Sequence, residues 1–146
     1  MYRSLLRFFL ISFALTSQAC GFVGGEGLHT EKELEREFSE MKAPLGATSS
    51  QHNSIFKTHH GVVGDYYKSS LTYKEIRAHY DEELQKRGWR FKKELELKSW
   101  GEDRGEIQAI YCKGDESADI YFTGQEESTL GYRYAFNLSW GLDQCR

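Results

Sequence analysis

The sequence predicts an α+β fold in which one long helix packs on an antiparallel sheet of about five strands, with a short N-terminal helix. Two observations predict this fold. Apolar residues recur at helical spacing over residues 73–87, and large residues alternate with polar ones over residues 89–99 and 132–140. The predicted order of helix, strand, helix and four strands favours a helix lying across one face of the sheet.

Length and composition limit the fold and the function. The chain has 146 residues, of which 39% are hydrophobic and 14% aromatic, with a single proline. These values are typical of one globular domain and exclude a collagen-like or wholly disordered chain. The formal net charge is −3, so we expect no strongly basic surface and no nucleic acid partner.

The first 19 residues are predicted to be a signal peptide. Arg3 and Arg7 precede an uncharged apolar run over residues 8–15, and small or polar residues follow. A basic start, a short apolar run and small residues before a cleavage point are typical of secretory signals. The run is shorter than the ~20 apolar residues of a membrane span. A buried N-terminal helix is the alternative interpretation.

The residues Ala19 and Cys20 resemble the end of a bacterial lipoprotein signal. The resemblance implies that cleavage exposes Cys20, that this cysteine carries a lipid, and that the protein contacts a membrane through the lipid. Residues 20–29 are rich in glycine and predict a flexible tether before a single domain over residues 30–146. Cleavage after Ala19 without lipidation, which would give a secreted protein, is the alternative.

The number of cysteines bears on both the predicted lipid attachment and a predicted disulfide. The chain has three cysteines, Cys20, Cys112 and Cys145. An odd number in a secreted chain leaves one thiol unexplained. If Cys20 carries a lipid, the other two can form a disulfide, so we predict a Cys112–Cys145 bridge. It would close a loop of about 34 residues and stabilise the fold by roughly 3–4 kcal/mol.

Two elements are predicted before the long helix. Thr30 and Glu33 have the spacing of a capping box for a short helix, which ends before Pro44. Residues 43–54 are typical of a loop. Residues 55–68 are rich in β-prone side chains and predict one strand, with a glycine bend or bulge in its middle.

The long helix has signals at both ends. Thr72 and Glu75 have capping-box spacing, and Gly88 lies where a left-handed C-terminal cap favours glycine. The pattern over residues 67–89, in which a strand leads into a capped helix ending in Gly-Trp, resembles one that recurs in small uncharacterised bacterial envelope lipoproteins. The resemblance implies a fold and a location, and it assigns no catalytic residue.

Four strands follow this helix. Residues 89–99 alternate large and charged side chains, which predicts a strand with one buried and one solvent-exposed face. Further strands are predicted over residues 107–113, 118–123 and 132–140, joined by glycine-containing turns and by a polar loop over residues 124–131.

No motif in the sequence predicts catalysis. The helix pair Glu75 and His79 could contribute to a metal site, but no CxxC, HExxH or spaced histidine set accompanies it. No Gly-x-Ser-x-Gly nucleophile motif and no phosphate-binding loop occurs. We therefore predict no catalytic residue, no metal and no cofactor.

The aromatic residues provide the remaining candidate site. Tyr66, Tyr67, Trp100 and Tyr121 are candidates for an exposed patch that binds a sugar or a protein. Burial in a small core is the alternative for these rings.

Together these observations predict a non-enzymatic lipoprotein of the bacterial cell envelope, facing the periplasm or the exterior. It would act by binding another envelope or secreted component. Two alternatives stay open: a freely secreted ligand-binding or inhibitor domain, and a small hydrolase with no recognisable motif. A deep pocket containing a histidine–carboxylate pair would favour the hydrolase.

Overall fold

The computed structural model describes residues 31–146. The predicted signal peptide, the tether over residues 20–29, Cys20 and the capping residue Thr30 lie outside the described residues. The strands are β1 (Thr48–Lys57), β2 (His60–Lys68), β3 (Arg90–Ser99), β4 (Glu102–Lys113), β5 (Glu116–Phe122) and β6 (Tyr134–Trp140). The α-helices are α1 (Glu31–Glu40), α2 (Tyr73–Lys86) and α3 (Glu127–Leu130), and a 3-10 turn covers Gly124–Glu126.

The predicted arrangement of one long helix on about five strands is wrong. The described chain is mostly a six-stranded antiparallel sheet in the order β1-β2-β6-β5-β4-β3, and its three α-helices are short, with 10, 14 and 4 residues. The extra strand, β1, covers much of the predicted loop. Its side chains are almost all exposed at the sheet edge, so no apolar alternation marked it. The single strand predicted over residues 55–68 is instead part of a hairpin that turns at Thr58 and His59.

Helices α1 and α2 pack on the same face of the sheet, which we call the helix face. Phe136 of β6 stacks on Tyr80 of α2 with ring centroids 4.2 Å apart, and on Phe38 of α1 at 5.9 Å. Burial of these rings and their aliphatic neighbours removes apolar surface from water and holds the two layers together. The fully buried aliphatic residues around them are Leu34, Val63, Ile76, Leu84, Ile120 and Leu138.

The helix predicted over residues 73–87 is present as α2. The Glu75 backbone N–H donates to the Thr72 hydroxyl at 3.3 Å, and the Thr72 N–H donates to the Glu75 carboxylate at 2.8 Å. This is the predicted capping box. Gly88 follows the helix with φ 83°, and the Trp89 N–H donates to the Leu84 carbonyl at 3.0 Å. Local signals therefore determine both ends of α2.

The four strands predicted after α2 are present with altered boundaries. β3 and β4 are joined by a tight turn at Trp100 and Gly101, whose φ values are 55° and 85°. β4 therefore begins at Glu102 rather than at residue 107, because charged residues assigned to a turn pair with the end of β3. The polar loop predicted between β5 and β6 contains the 3-10 turn and α3.

The predicted disulfide between Cys112 and Cys145 is confirmed, with the two Cα atoms 5.7 Å apart. It connects β4 to the segment that follows β6 and so restrains the end of the chain. Within residues 31–146, no helix combines the length and the apolar character that crossing a membrane requires.

Candidate functional site

The face of the sheet opposite α1 and α2 carries a row of polar residues, and we call it the polar face. The antiparallel register places Gly64 of β2, Asn137 of β6 and Asp119 of β5 side by side. Side chains at alternate positions of a strand point to the same face. Ser117 and Ser139 therefore also lie on the polar face, where their buried hydroxyl groups are 2.7 Å apart.

Asp119 is a buried carboxyl group in the middle of this face. The side-chain amide of Asn137 donates a hydrogen bond to the Asp119 carboxylate at 3.2 Å, and Gln108 of β4 also hydrogen-bonds this group. Only 7% of Asp119 is exposed. Burial raises the pKa of Asp119 from 3.8 to about 6, in spite of the two amides, which lower it. Asp119 therefore changes charge close to neutral pH.

Gly64 makes room for the Asn137 side chain. A Cβ atom at residue 64 would collide with Oδ1 of Asn137 and would lie 2.7 Å from the carbonyl oxygen of Phe136. Any larger residue at this position would push Asn137 away from Asp119. The amide–carboxyl contact thus depends on a glycine two strands away from Asp119.

Two tyrosines flank the polar row on the same face. Tyr66 of β2 and Tyr121 of β5 occupy one cross-strand row, separated by the small side chain of Ala135 on β6. The Tyr66 ring also contacts Tyr132, with centroids 4.6 Å apart. Both Tyr66 and Tyr121 are half-buried. Aromatic rings next to a few converging polar groups are typical of sites for small polar ligands.

A second carboxylate on the polar face has a pKa that is shifted in the opposite direction to that of Asp119. Glu106 of β4 accepts hydrogen bonds from the hydroxyl groups of Ser99 and Tyr121. These two bonds lower the pKa of Glu106. Glu106 therefore stays ionised where Asp119 titrates, and the two groups give the face one permanent and one pH-dependent charge.

The structure separates the four residues predicted as an exposed aromatic patch. Tyr66 and Tyr121 lie in one row, as described above. Tyr67 is instead 5% exposed and stacks on Tyr134 at 4.8 Å on the helix face, because successive residues of a strand point to opposite faces. Trp100 is 96% exposed at the β3–β4 turn. Tyr67 is therefore a core residue and Trp100 belongs to another surface.

One histidine that no sequence pattern indicated lies between two carboxylates. Nδ1 of His52 on β1 is 2.7 Å from the Asp65 carboxylate of β2, and Nε2 is 3.3 Å from the Glu35 carboxylate of α1. The bond to Asp65, with help from Glu35, raises the pKa of His52 against the effect of burial. The cluster connects α1 to the sheet. The β1–β2 register brings His52 to Asp65, and the packing of α1 on the sheet adds Glu35, so no sequence motif could have revealed the cluster.

This histidine lacks the contacts that nucleophile activation needs. Both ring nitrogens of His52 face carboxylates, so neither contacts a hydroxyl or thiol group. The side chain is 48% exposed rather than set in a deep pocket. A ring nitrogen of His79 lies 2.7 Å from the backbone carbonyl of Lys42. In the part of the chain that the structure describes, no group of three His, Cys, Asp or Glu residues could hold a metal ion.

A charged cleft of about 390 Å³ lies on the helix side of the molecule and is lined by Arg36, Glu37, Glu40, Arg87 and Lys113. Arg87 pairs with the Glu40 carboxylate at 3.1 Å, and Lys113 pairs with Glu37. Because Arg87 and Lys113 each pair with a carboxylate of α1 across the cleft, we interpret it as a junction that connects α1 to the end of α2 and to β4.

No protein-family model, curated protein or solved structure matches this chain. The candidate site is therefore defined by its own geometry. It consists of the buried Asp119 carboxyl group, its two amide partners Asn137 and Gln108, and the flanking rings of Tyr66 and Tyr121.

Proposed function

We propose that the chain is a lipoprotein of the bacterial cell envelope, anchored through Cys20, that binds a polar ligand on its polar face. The disulfide supports this location, because disulfides persist in oxidising compartments such as the periplasm. It also uses two of the three cysteines of the chain. The third, Cys20, follows the predicted signal at the position where a lipid would be attached.

The burial of Asp119 is the observation that carries the binding proposal. A buried carboxyl group lowers stability relative to an apolar residue of similar size. Groups with strongly shifted pKa values also concentrate at functional sites. The Asp119 carboxyl group accepts hydrogen bonds, and the Asn137 and Gln108 amides can both donate and accept them. This set suits the hydroxyl groups of a carbohydrate, whose apolar ring faces would contact Tyr66 and Tyr121.

The anchor is tested by changing the lipid attachment site. Cys20→Ala should move the protein from the membrane fraction to the soluble fraction of its host. Cys112→Ser with Cys145→Ser serves as the matched control, because it removes two thiols and leaves Cys20, so this variant should stay with the membrane. A Cys20→Ala protein that remains membrane-bound would show that Cys20 is not the anchor.

The ligand is tested by nuclear magnetic resonance titration of the mature protein with a panel of soluble oligosaccharides. Binding should move the side-chain amide signals of Asn137 and Gln108 before signals elsewhere. Asp119→Asn should weaken this binding, whereas Asp143→Asn, at an exposed carboxylate near the C-terminus, should not. Shifts confined to other surfaces, or no shifts with any sugar, would contradict the assignment of the polar face.

A further inference from the structure

Strand β1 forms one edge of the sheet. Among residues 31–146 it pairs with β2 alone, and eight of its ten side chains are exposed. An edge strand presents backbone N–H and C=O groups to any strand that can lie beside it. The chemistry of β1 indicates which strand that is.

The β1–β2 turn determines which backbone groups of β1 face outward. The turn has two residues, so Lys57 and His60 exchange both of their backbone hydrogen bonds, and such pairs alternate along an antiparallel ladder. Every second residue counted back from Lys57 therefore directs its N–H and C=O groups to β2. The residues between them direct theirs away from the sheet: Phe56, Ser54 and His52.

The regular part of β1 is symmetrical about Ser54. It begins after a bulge at Ser50, where the register shifts, and it ends at the turn that follows Lys57. Residues 51–57, which we call the pairing stretch, are therefore an unbroken strand with Ser54 at its midpoint. Because Ser54 faces outward, a second copy related by a two-fold axis at this residue would use all the outward-facing groups of the stretch.

The side chains of the pairing stretch suit such a copy. Lys57, the one lysine of the stretch, would lie opposite Gln51 of the partner subunit, and the two Ser54 residues would lie opposite each other. His52 would lie opposite Phe56 of the partner subunit. Like charges directly opposite one another destabilise a strand pair, and this register has none.

The other charges near this edge do not oppose the pairing. Asp65 of β2 and Glu35 of α1 both contact the ring of His52, at 2.7 and 3.3 Å. Lys68, at the end of β2, pairs with Thr48 and so lies beyond the bulge, outside the pairing stretch. Two copies therefore meet without strong repulsion between their charges.

The opposite edge of the sheet, β3, has two features that prevent pairing. Six of its ten residues are charged, and its register with β4 shifts at two places. Charges and bulges both protect edge strands from adding a further strand. Assembly through β1 therefore stops at two copies, because the outer edges of the joined sheet are two β3 strands.

We propose that β1 pairs with β1 of a second copy, antiparallel and centred on Ser54, so that two sheets join into one of twelve strands. The contact is isologous, since both copies use the same residues. Opposed residues of paired strands point to the same face, so both polar faces lie on one side of the dimer. The dimer depends neither on the proposed ligand nor on the lipid.

Sedimentation equilibrium of the mature chain with Cys20→Ser tests the proposal, because neither a lipid nor a Cys20 disulfide can then join the copies. This parent should dimerise as its concentration rises. Ser54→Lys places two positive charges opposite each other at the axis and should weaken dimerisation by about tenfold or more. Ser128→Lys, at an exposed serine of α3, is the matched control and should not weaken it. Circular dichroism checks that each variant keeps its fold.

Cysteine crosslinking tests the register in the same Cys20→Ser background. Ser54→Cys should form a disulfide-linked dimer on mild oxidation, since hydrogen-bonded pairs have Cα atoms about 5.5 Å apart. Thr48→Cys, at another exposed position of β1, should not, because the two copies of residue 48 lie at opposite ends of the paired strands.

Two results would overturn the proposal: a parent that stays monomeric at every concentration, and a dimer that Ser54→Lys does not weaken. Crosslinking through Thr48→Cys but not through Ser54→Cys would contradict the register. A monomeric parent that crosslinks to another envelope protein, and loses this crosslink in Ser54→Lys, would assign the edge to that partner instead of a second copy. None of these results bears on the anchor at Cys20 or on sugar binding, because no lipid and no sugar is present.

Discussion

The side-chain amide of Asn137 donates a hydrogen bond to the Asp119 carboxylate at 3.2 Å across the β5–β6 pair. The contact is possible because Gly64, on the other side of Asn137, has no side chain. It holds a carboxyl group with a pKa of about 6 in a buried position on the polar face. The same contact therefore affects both the stability of the domain and the proposed binding surface.

Asp119→Asn is expected to stabilise the domain at neutral and alkaline pH. The pKa of Asp119 is raised from 3.8 to about 6 in the folded protein, so ionisation favours unfolding. The loss of folding stability caused by ionising Asp119 is absent at pH below about 4 and complete at pH above about 7. The variant should gain about 1–3 kcal/mol in free energy of unfolding at alkaline pH, measured by urea denaturation. An unchanged dependence of stability on pH between these limits would contradict the assignment.

Gly64→Ala is expected to destabilise the sheet by about 1–3 kcal/mol, because the new methyl group collides with Asn137 and approaches the Phe136 carbonyl. In an Asn137→Ala background the same substitution should have a smaller effect, since one of the two collisions is gone. Urea denaturation of the four proteins of this cycle measures the coupling. Strictly additive effects would show that residues 64 and 137 do not compete for space.

His52→Gln is expected to reduce the stability of α1 docking at acidic pH only. Because Asp65 and Glu35 raise the pKa of His52, its contribution is full below about pH 6.5 and is lost as pH rises through the folded value. The effect should stay under about 1 kcal/mol, since the pair is partly exposed. Hydrogen exchange of α1 amides at acidic and alkaline pH measures it, with His59→Gln as the control. Equal protection of α1 in His52→Gln and the parent at acidic pH would argue against this role.

Removing the disulfide is expected to lower the free energy of unfolding by roughly 3–4 kcal/mol, because the bridge spans 33 residues in sequence. Cys112→Ser with Cys145→Ser should show this loss in urea denaturation. Reduction of the parent protein should reproduce it, and Cys20→Ser should leave stability unchanged. A parent protein whose unfolding is insensitive to reductant would mean that the bridge contributes nothing to the fold.

Sequence reasoning succeeded where the signal was local. The capping box at Thr72 and Glu75 and the glycine at residue 88 are read directly from the chain, and α2 has the expected ends. The disulfide followed from counting cysteines. These features depend on neighbours in sequence or on composition, and tertiary structure did not override them.

The features that the sequence did not predict depend on strand register, that is, on which residues pair across neighbouring strands. The polar, exposed strand β1 carries no apolar alternation, so the sequence predicts a loop over much of it and one strand too few in the sheet. The face occupied by Tyr67 and the meeting of His52 with Asp65 both depend on which residues pair across β1 and β2. The Asp119 site depends in the same way on the pairing of β4, β5 and β6.

The most direct test of the proposed function is the intact mass of the mature protein from its native host, with and without reduction. We predict a chain that begins at Cys20, carries acyl chains on that residue and gains the mass of two hydrogen atoms on reduction of the Cys112–Cys145 bridge. A chain that begins at Cys20 with no acyl mass would contradict the anchor. It would identify the protein as a secreted domain with a free thiol.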